Sequence, residues 1–121
     1  MSKEFDAIKE CGVYFLLTKN GDYPAGRPFG SLKEIDGKIY FNTTDRNEAH
    51  DQLRKDPHIQ IVAKKPDSMN WIRMTGLAQE CTDDSIKEKM LEGSPMKERM
   101  ESLGLEHFLV FRFDIEKAEY K

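Results

Sequence analysis

Gly26-Arg27-Pro28-Phe29-Gly30-Ser31-Leu32, then the pair Asp36-Gly37, then Lys38-Ile39-Tyr40-Phe41-Asn42-Thr43-Thr44-Asp45-Arg46-Asn47, is the stretch that decides how this chain folds. Its opening sets a guanidinium, a proline and small residues within a few positions. Proline lacks a donor and is tolerated on strands mainly at edges, starts or bulges, while glycine and serine let another object approach the backbone. The segment therefore reads as an unusual strand suited to a planar anionic ligand, with Arg27 the first candidate contact. Asp36-Gly37 is a strong two-residue hairpin signal, because both residues tolerate positive φ. Lys38 to Thr43 then returns antiparallel and brings Thr43 and Thr44 back toward Arg27. Asn47 is a candidate N-cap for a helix running to Asp56. A helix N-terminus with hydroxyls and arginines nearby is a natural phosphate site, and Asn42, Thr43, Arg46 and Asn47 form the candidate cradle.

Outward from that stretch, Lys3 to Cys11 has the spacing of a short amphipathic helix ended by Gly12. Val13 to Thr18 is a nearly continuous apolar run and reads as a first, buried strand, stopped by Asn20-Gly21-Asp22. Tyr23 to Ile35 reads as the second strand and Lys38 to Thr43 as the third. Beyond the helix, Pro57 breaks the chain and His58 to Lys64 alternates as a fourth strand. Trp71 to Glu80 is a fifth, with Trp71, Arg73, Thr75 and Leu77 on one face and Ile72, Met74 and Gly76 on the other. Gly76 suits a bulge. Asp83-Asp84-Ser85 starts a helix whose apolar stripe is Ile86, Met90 and Leu91, Gly93-Ser94-Pro95 breaks it, and Met96 to Leu103 forms another. His107 to Phe113 is the last strand. The pattern predicts a mainly β domain with helices, a six-stranded antiparallel Greek-key barrel.

With 121 residues the chain predicts one domain, spanning 1–121, with little spare core. Hydrophobic residues make up 38% and charged ones 34%, so a cofactor or partner subunit is expected to supply part of the burial. The formal net charge is -3 with the two signs interspersed, which disfavours nucleic acid and a basic membrane-binding face. No apolar run is long enough to span a bilayer, and the N-terminus is charged where a signal peptide needs an apolar core, so a cytoplasmic location is expected. Cys11 and Cys81 fit neither a metal spacing nor a redox pair, and the three histidines, His50, His58 and His107, share no ligand motif. No metal site and no nucleophilic triad is predicted, and catalytic residues stay unassigned.

Arg27-Pro28-Phe29-Gly30, the Asp36-Gly37 turn, Arg46-Asn47 before a helix and Trp71-Ile72-Arg73-Met74-Thr75-Gly76 together resemble the pyridoxamine 5'-phosphate oxidase-like family of FMN-binding split barrels. More narrowly they are similar to its short members, which include nitroimidazole-resistance proteins. The resemblance runs from Phe5 to about Asp114 and rests on the order and spacing of the motifs. It implies FMN as cofactor, with the backbone of Phe29, Gly30, Ser31 and Leu32 along the flavin. It also implies a homodimer in which the strand of Trp71 and Arg73 lies at the subunit boundary. Larger relatives carry lysine where this chain has Glu48; short ones place a basic residue just before the asparagine, as Arg46-Asn47 does. The cofactor-binding set is thus Arg27, Pro28, Phe29, Gly30, Ser31, Leu32, Asn42, Thr43, Arg46, Asn47, Trp71 and Arg73. The leading function is an oxidoreductase passing electrons from a reduced nicotinamide or other small donor to a small acceptor. The alternatives are a non-catalytic flavin-binding, storage or sensor protein, a relative using heme or deazaflavin, and a cofactor-free barrel. Pyridoxamine 5'-phosphate oxidation itself is disfavoured by the resemblance, since Asp114 to Lys121 lacks the basic segment that holds the substrate phosphate.

Overall fold

A computed structural model describes residues 2–121. The elements are α1 (Lys3–Cys11), β1 (Tyr14–Asn20), β2 (Tyr23–Phe29), β3 (Lys33–Ile35), β4 (Lys38–Thr44), α2 (Ala49–Lys55), β5 (His58–Lys64), β6 (Trp71–Cys81), α3 (Asp84–Leu91), α4 (Lys97–Leu103) and β7 (Phe108–Tyr120). All strands belong to one antiparallel sheet of seven, ordered β2-β1-β5-β6-β7-β4-β3. The strand expected from Tyr23 to Ile35 is in fact two, because residues 30–32 leave the ladder, and this makes seven strands rather than six. That break sets the architecture. β2 and β3 are consecutive in the chain yet lie at opposite ends of the strand order. Laid flat, six inter-strand spacings would separate them by roughly 29 Å, whereas the links from Phe29 to Lys33 reach only about 14 Å. The sheet must roll up. It does not close by a β2–β3 ladder; residues 30–32 cross the split instead.

Two turns follow the local chemistry. Asp36 and Gly37 take φ of 51° and 78°, the left-handed pair that a tight hairpin needs. In β6 the register against β7 slips between Thr75 and Gly76, the expected bulge. A Cβ at Gly76 would strike the Asp114 carbonyl and come within 3.0 Å of Ile115 Cα. Gly76→Ala is therefore expected to lower stability by about 2–3 kcal/mol, read from the urea midpoint at unchanged slope; an unchanged midpoint would show that β7 can move away.

Inside the roll, Tyr14, Leu16, Phe41, Ile61, Ile72, Met74 and Phe111 are at most 2% exposed. Phe41 stacks on Phe111 with centroids 5.7 Å apart, and Phe29 meets Phe41 edge-on at 6.1 Å. Phe5, Ile8 and Cys11 of α1 pack into this core, as does Leu53 of α2. A second apolar cluster lies outside β4 and β7, where Tyr40, Phe108 and Val110 are covered by Met90 and Leu91 of α3 and Met100 of α4.

Three further expectations are corrected. β1 is not buried throughout: Tyr14, Leu16 and Thr18 point inward, whereas Val13 precedes the strand at 59% exposed and Phe15 is 51% exposed. α2 begins at Ala49 rather than Asn47. The last strand continues to Tyr120, because the polar tail from Asp114 pairs with β6 despite its composition.

Candidate functional site

The split is held from three directions. The Tyr14 hydroxyl, pushed well above the ordinary range for tyrosine chiefly by burial, donates to the Ser31 carbonyl at 2.6 Å. Ser31 Oγ accepts from the Asn42 N–H at 3.1 Å and donates to the Asn42 carbonyl at 3.2 Å, tying the crossing to β4. Lys9 Nζ reaches the Leu32 carbonyl at 3.4 Å. Leu32 is buried in the core, while Gly30 is exposed and a Cβ there would meet nothing within 4 Å. Residues 30–32 lie outside every strand, and among the described residues none of them donates a backbone hydrogen bond. With Gly30 exposed beside it, this run of backbone N–H groups without acceptors in the described chain suits the carbonyls and ring nitrogens of a flat heterocycle.

Arg27 is placed differently from the expectation of a ligand-facing guanidinium. Its Nη1 donates to Thr18 Oγ1 at 2.9 Å and to the Leu16 carbonyl at 3.3 Å, and its Nη2 donates to Gln52 Oε1 at 2.7 Å. Thr18 and Gln52, 2% and 6% exposed, are joined at 2.6 Å. Burial lowers the Arg27 pKa, partly offset by the Glu48 charge. This polar knot under α2 escaped the sequence reading. Its signals were a threonine closing an apolar strand and a glutamine between Ala49 and Leu53 on the inner side of α2.

The cradle residues do not all share one side. Thr43 points into the roll at 7% exposed, whereas Asn42 lies on the opposite face of β4, as strand alternation requires. Asn47 Oδ1 accepts from the Ala49 N–H at 2.9 Å, so it serves the turn into α2. Arg46 is exposed on the wall of a neighbouring cavity. Pro28 faces outward and Phe29 inward.

Trp71 and Arg73 lie on the outer face of β6. Arg73 sits 5.4 Å from the Trp71 ring centre and forms a two-pronged pair with Glu119, at 2.9 and 3.2 Å. Arg73, followed by Lys121, draws the Glu119 carboxyl down to about 2. The register Pro28–Phe15–Val62–Arg73 puts Arg73 three strand spacings from Pro28, roughly 14 Å. Within one chain, Trp71 and Arg73 share the outer face with Pro28 but do not join the crossing segment. No group of three or more His, Cys, Asp or Glu able to hold a metal is found among the described residues, nor is any helix there long and apolar enough to cross a membrane.

An antiparallel sheet rolled into an unclosed barrel, with a short crossing over the split and helices packed outside, is a split-barrel fold. The sequence profile of pyridoxamine 5'-phosphate oxidase matches residues 1–121. The chain belongs to that family, whose type of function is flavin-related oxidoreductase chemistry. Among solved structures it is similar to a NimC/NimA family protein from Clostridium acetobutylicum, with 32% identity, a TM-score of 0.83, and coverage of 98% of this chain and 83% of the other. It shares the fold of a putative pyridoxamine 5'-phosphate oxidase from Listeria innocua, at 22% identity, TM-score 0.78, and 98% and 94% coverage. The General Stress Protein 26 from Bacillus anthracis is likewise alike in fold, at 16% identity, TM-score 0.71, and 95% and 88% coverage. No curated protein matches the chain significantly.

Proposed function

We propose that the chain binds FMN as a homodimer and works as an oxidoreductase between a reduced nicotinamide, or another small donor, and a small acceptor. The observation that carries this reading is the crossing at residues 30–32: fixed through Tyr14, Asn42 and Lys9, it offers backbone donors beside open space at Gly30. Bound flavin supplies two-electron redox chemistry that no protein side chain provides. The chain's own work is then to bind, orient and cover. The backbone of Phe29, Gly30, Ser31 and Leu32 would meet the ring or ribityl chain, with Asn42 behind it. Arg46 is the charged candidate for the phosphate, because no carboxylate among the described residues pairs with it, while Arg27 holds the barrel end and Thr43 lines its interior. The absence of a GxGxxG loop in the sequence favours FMN over FAD.

The outer face supports the dimer. Val13 and Phe15 are exposed there, beside Pro28 and Val62 and in the same sheet as Trp71. A two-fold axis through that face would bring each chain's Trp71 and Arg73 toward its partner's crossing segment and form two equivalent clefts.

Arg46→Ala is expected to weaken FMN binding by about 1.5–3 kcal/mol, the worth of hydrogen bonds to a charged group, and to leave riboflavin binding nearly unchanged. Flavin fluorescence titration reads both; equal losses for FMN and riboflavin would remove the phosphate from Arg46. Steady-state turnover with NADH or NADPH and an acceptor separates an enzyme from a flavin carrier, which would bind FMN with the same preferences but show no turnover.

A further inference from the structure

The β3–β4 register pairs Lys33 with Tyr40, Glu34 with Ile39 and Ile35 with Lys38, and carried two residues further it sets Ser31 opposite Asn42. In an antiparallel ladder, residues at a hydrogen-bonded position exchange two main-chain bonds, N–H to C=O in each direction. Here a side chain takes one partner's share. Ser31 Oγ accepts from the Asn42 N–H at 3.1 Å and donates to the Asn42 carbonyl at 3.2 Å, and a hydroxyl can do both at once. The main chain of Ser31 is thereby released from β4. Its carbonyl accepts instead from the Tyr14 hydroxyl at 2.6 Å, and the next carbonyl, that of Leu32, accepts from Lys9 Nζ at 3.4 Å. The N–H groups of Ser31 and Leu32 have no acceptor among the described residues. The Ser31–Leu32 peptide is trans, so its C=O and N–H point in opposite directions. Because the carbonyl is aimed at Tyr14, a 0% exposed core residue, the Leu32 N–H is turned away from that hydroxyl.

We propose that Ser31 and Tyr14 are positioning residues for the flavin ring. The Ser31 hydroxyl replaces the Ser31 main chain in the β4 ladder, and Tyr14 fixes the turn of the 31–32 peptide, so that the Leu32 N–H is presented to an acceptor on the ring. The inference rests on the flavin reading of the crossing and adds the polarity of the contact. With the Ser31 and Leu32 carbonyls both occupied, the main chain at these two residues offers donors only, which selects a ring edge of carbonyl oxygens and unprotonated nitrogens. Neither side chain needs to touch the ligand. Removing the Ser31 hydroxyl lets the main chain of residue 31 return to its ladder place opposite Asn42, which swings the carbonyl off Tyr14 and the Leu32 N–H with it. Removing the Tyr14 hydroxyl frees the same peptide from the other side.

The test is titration of the full chain, Ser31→Ala and Tyr14→Phe with FMN and with riboflavin, combined with amide NMR spectra at saturating riboflavin. In the parent the Leu32 amide proton should move downfield on saturation, as a new hydrogen bond requires. Each variant should bind both ligands about tenfold more weakly, by the same factor for FMN and riboflavin because the lost contact is to the ring, and its Leu32 amide should stay near the free position even when saturated. Ser31 is only half-buried, so Ser31→Ala carries the test should Tyr14→Phe fail to fold. Weaker binding with the parent's Leu32 shift at saturation would make the two residues mere anchors and overturn the proposal, as would variants that bind like the parent. A parent that binds flavin without moving the Leu32 amide overturns this inference alone, whereas a parent that binds no flavin overturns the flavin reading and this inference together.

Discussion

Phe15→Glu is expected to convert the assembled protein into monomers, raising the dimer dissociation constant by at least about a hundredfold, and to weaken FMN binding about tenfold, while the melting temperature of the monomer barely changes. Phe15 stands in the middle of the outer face, 51% exposed, between Pro28 on β2 and Val62 on β5. An aromatic ring of this kind, left half in water in one chain, is the sort of anchor that dominates an association energy. A two-fold interface presents each substitution twice, so its cost is counted twice. Gel filtration and flavin titration at matched concentrations check the two effects. A dimer that persists unchanged would move the interface off this face.

Met74→Asp, opposite Ile61 on the neighbouring strand β5, should act quite differently. Met74 is 0% exposed and packed in the barrel core, so a carboxylate there would lose its hydration with no partner. The expected loss is about 4 kcal/mol or more, which approaches the whole stability of a small domain, about 5 kcal/mol at the low end. Circular dichroism should show a largely unfolded chain at physiological temperature. On sequence alone Met74 and Trp71 fall on opposite faces of one strand, with nothing to say which face is buried. Alternation in β6 separates them: Trp71 and Arg73 are outside, Ile72 and Met74 inside. Only the outer pair can report on the dimer.

The same contrast explains how far the residues disclose the fold. Asp36-Gly37 and the alternation of β5 and β6 are decided by neighbours in the chain, and they read true. Val13 to Leu17 does not, because an apolar run looks the same whether its second face enters a core or stands exposed on an outer face. The break at Gly30 to Leu32 is invisible locally: these residues could continue a strand, and they leave it because β3 must pair with β4 on the far side of the roll. The strand from Asp114 to Tyr120 is polar in composition and exists because β6 offers it a ladder. Ser31, beside the Arg27-Gly30 motif, and Asn42, in the expected phosphate cradle, were singled out separately, and the fold ties one to the other. Arg27 was found by the same motif, but its partners Thr18 and Gln52 are 9 and 25 residues away, and only the fold reveals that they claim its donors.

The most direct test of the account is an FMN titration followed in parallel by flavin fluorescence and analytical ultracentrifugation. The prediction is saturation near one FMN per chain on a species of twice the chain mass, with dilution below the dimer dissociation constant lowering flavin affinity in step. A monomer that binds FMN as tightly as the dimer, or a protein that binds no flavin at all, would contradict it.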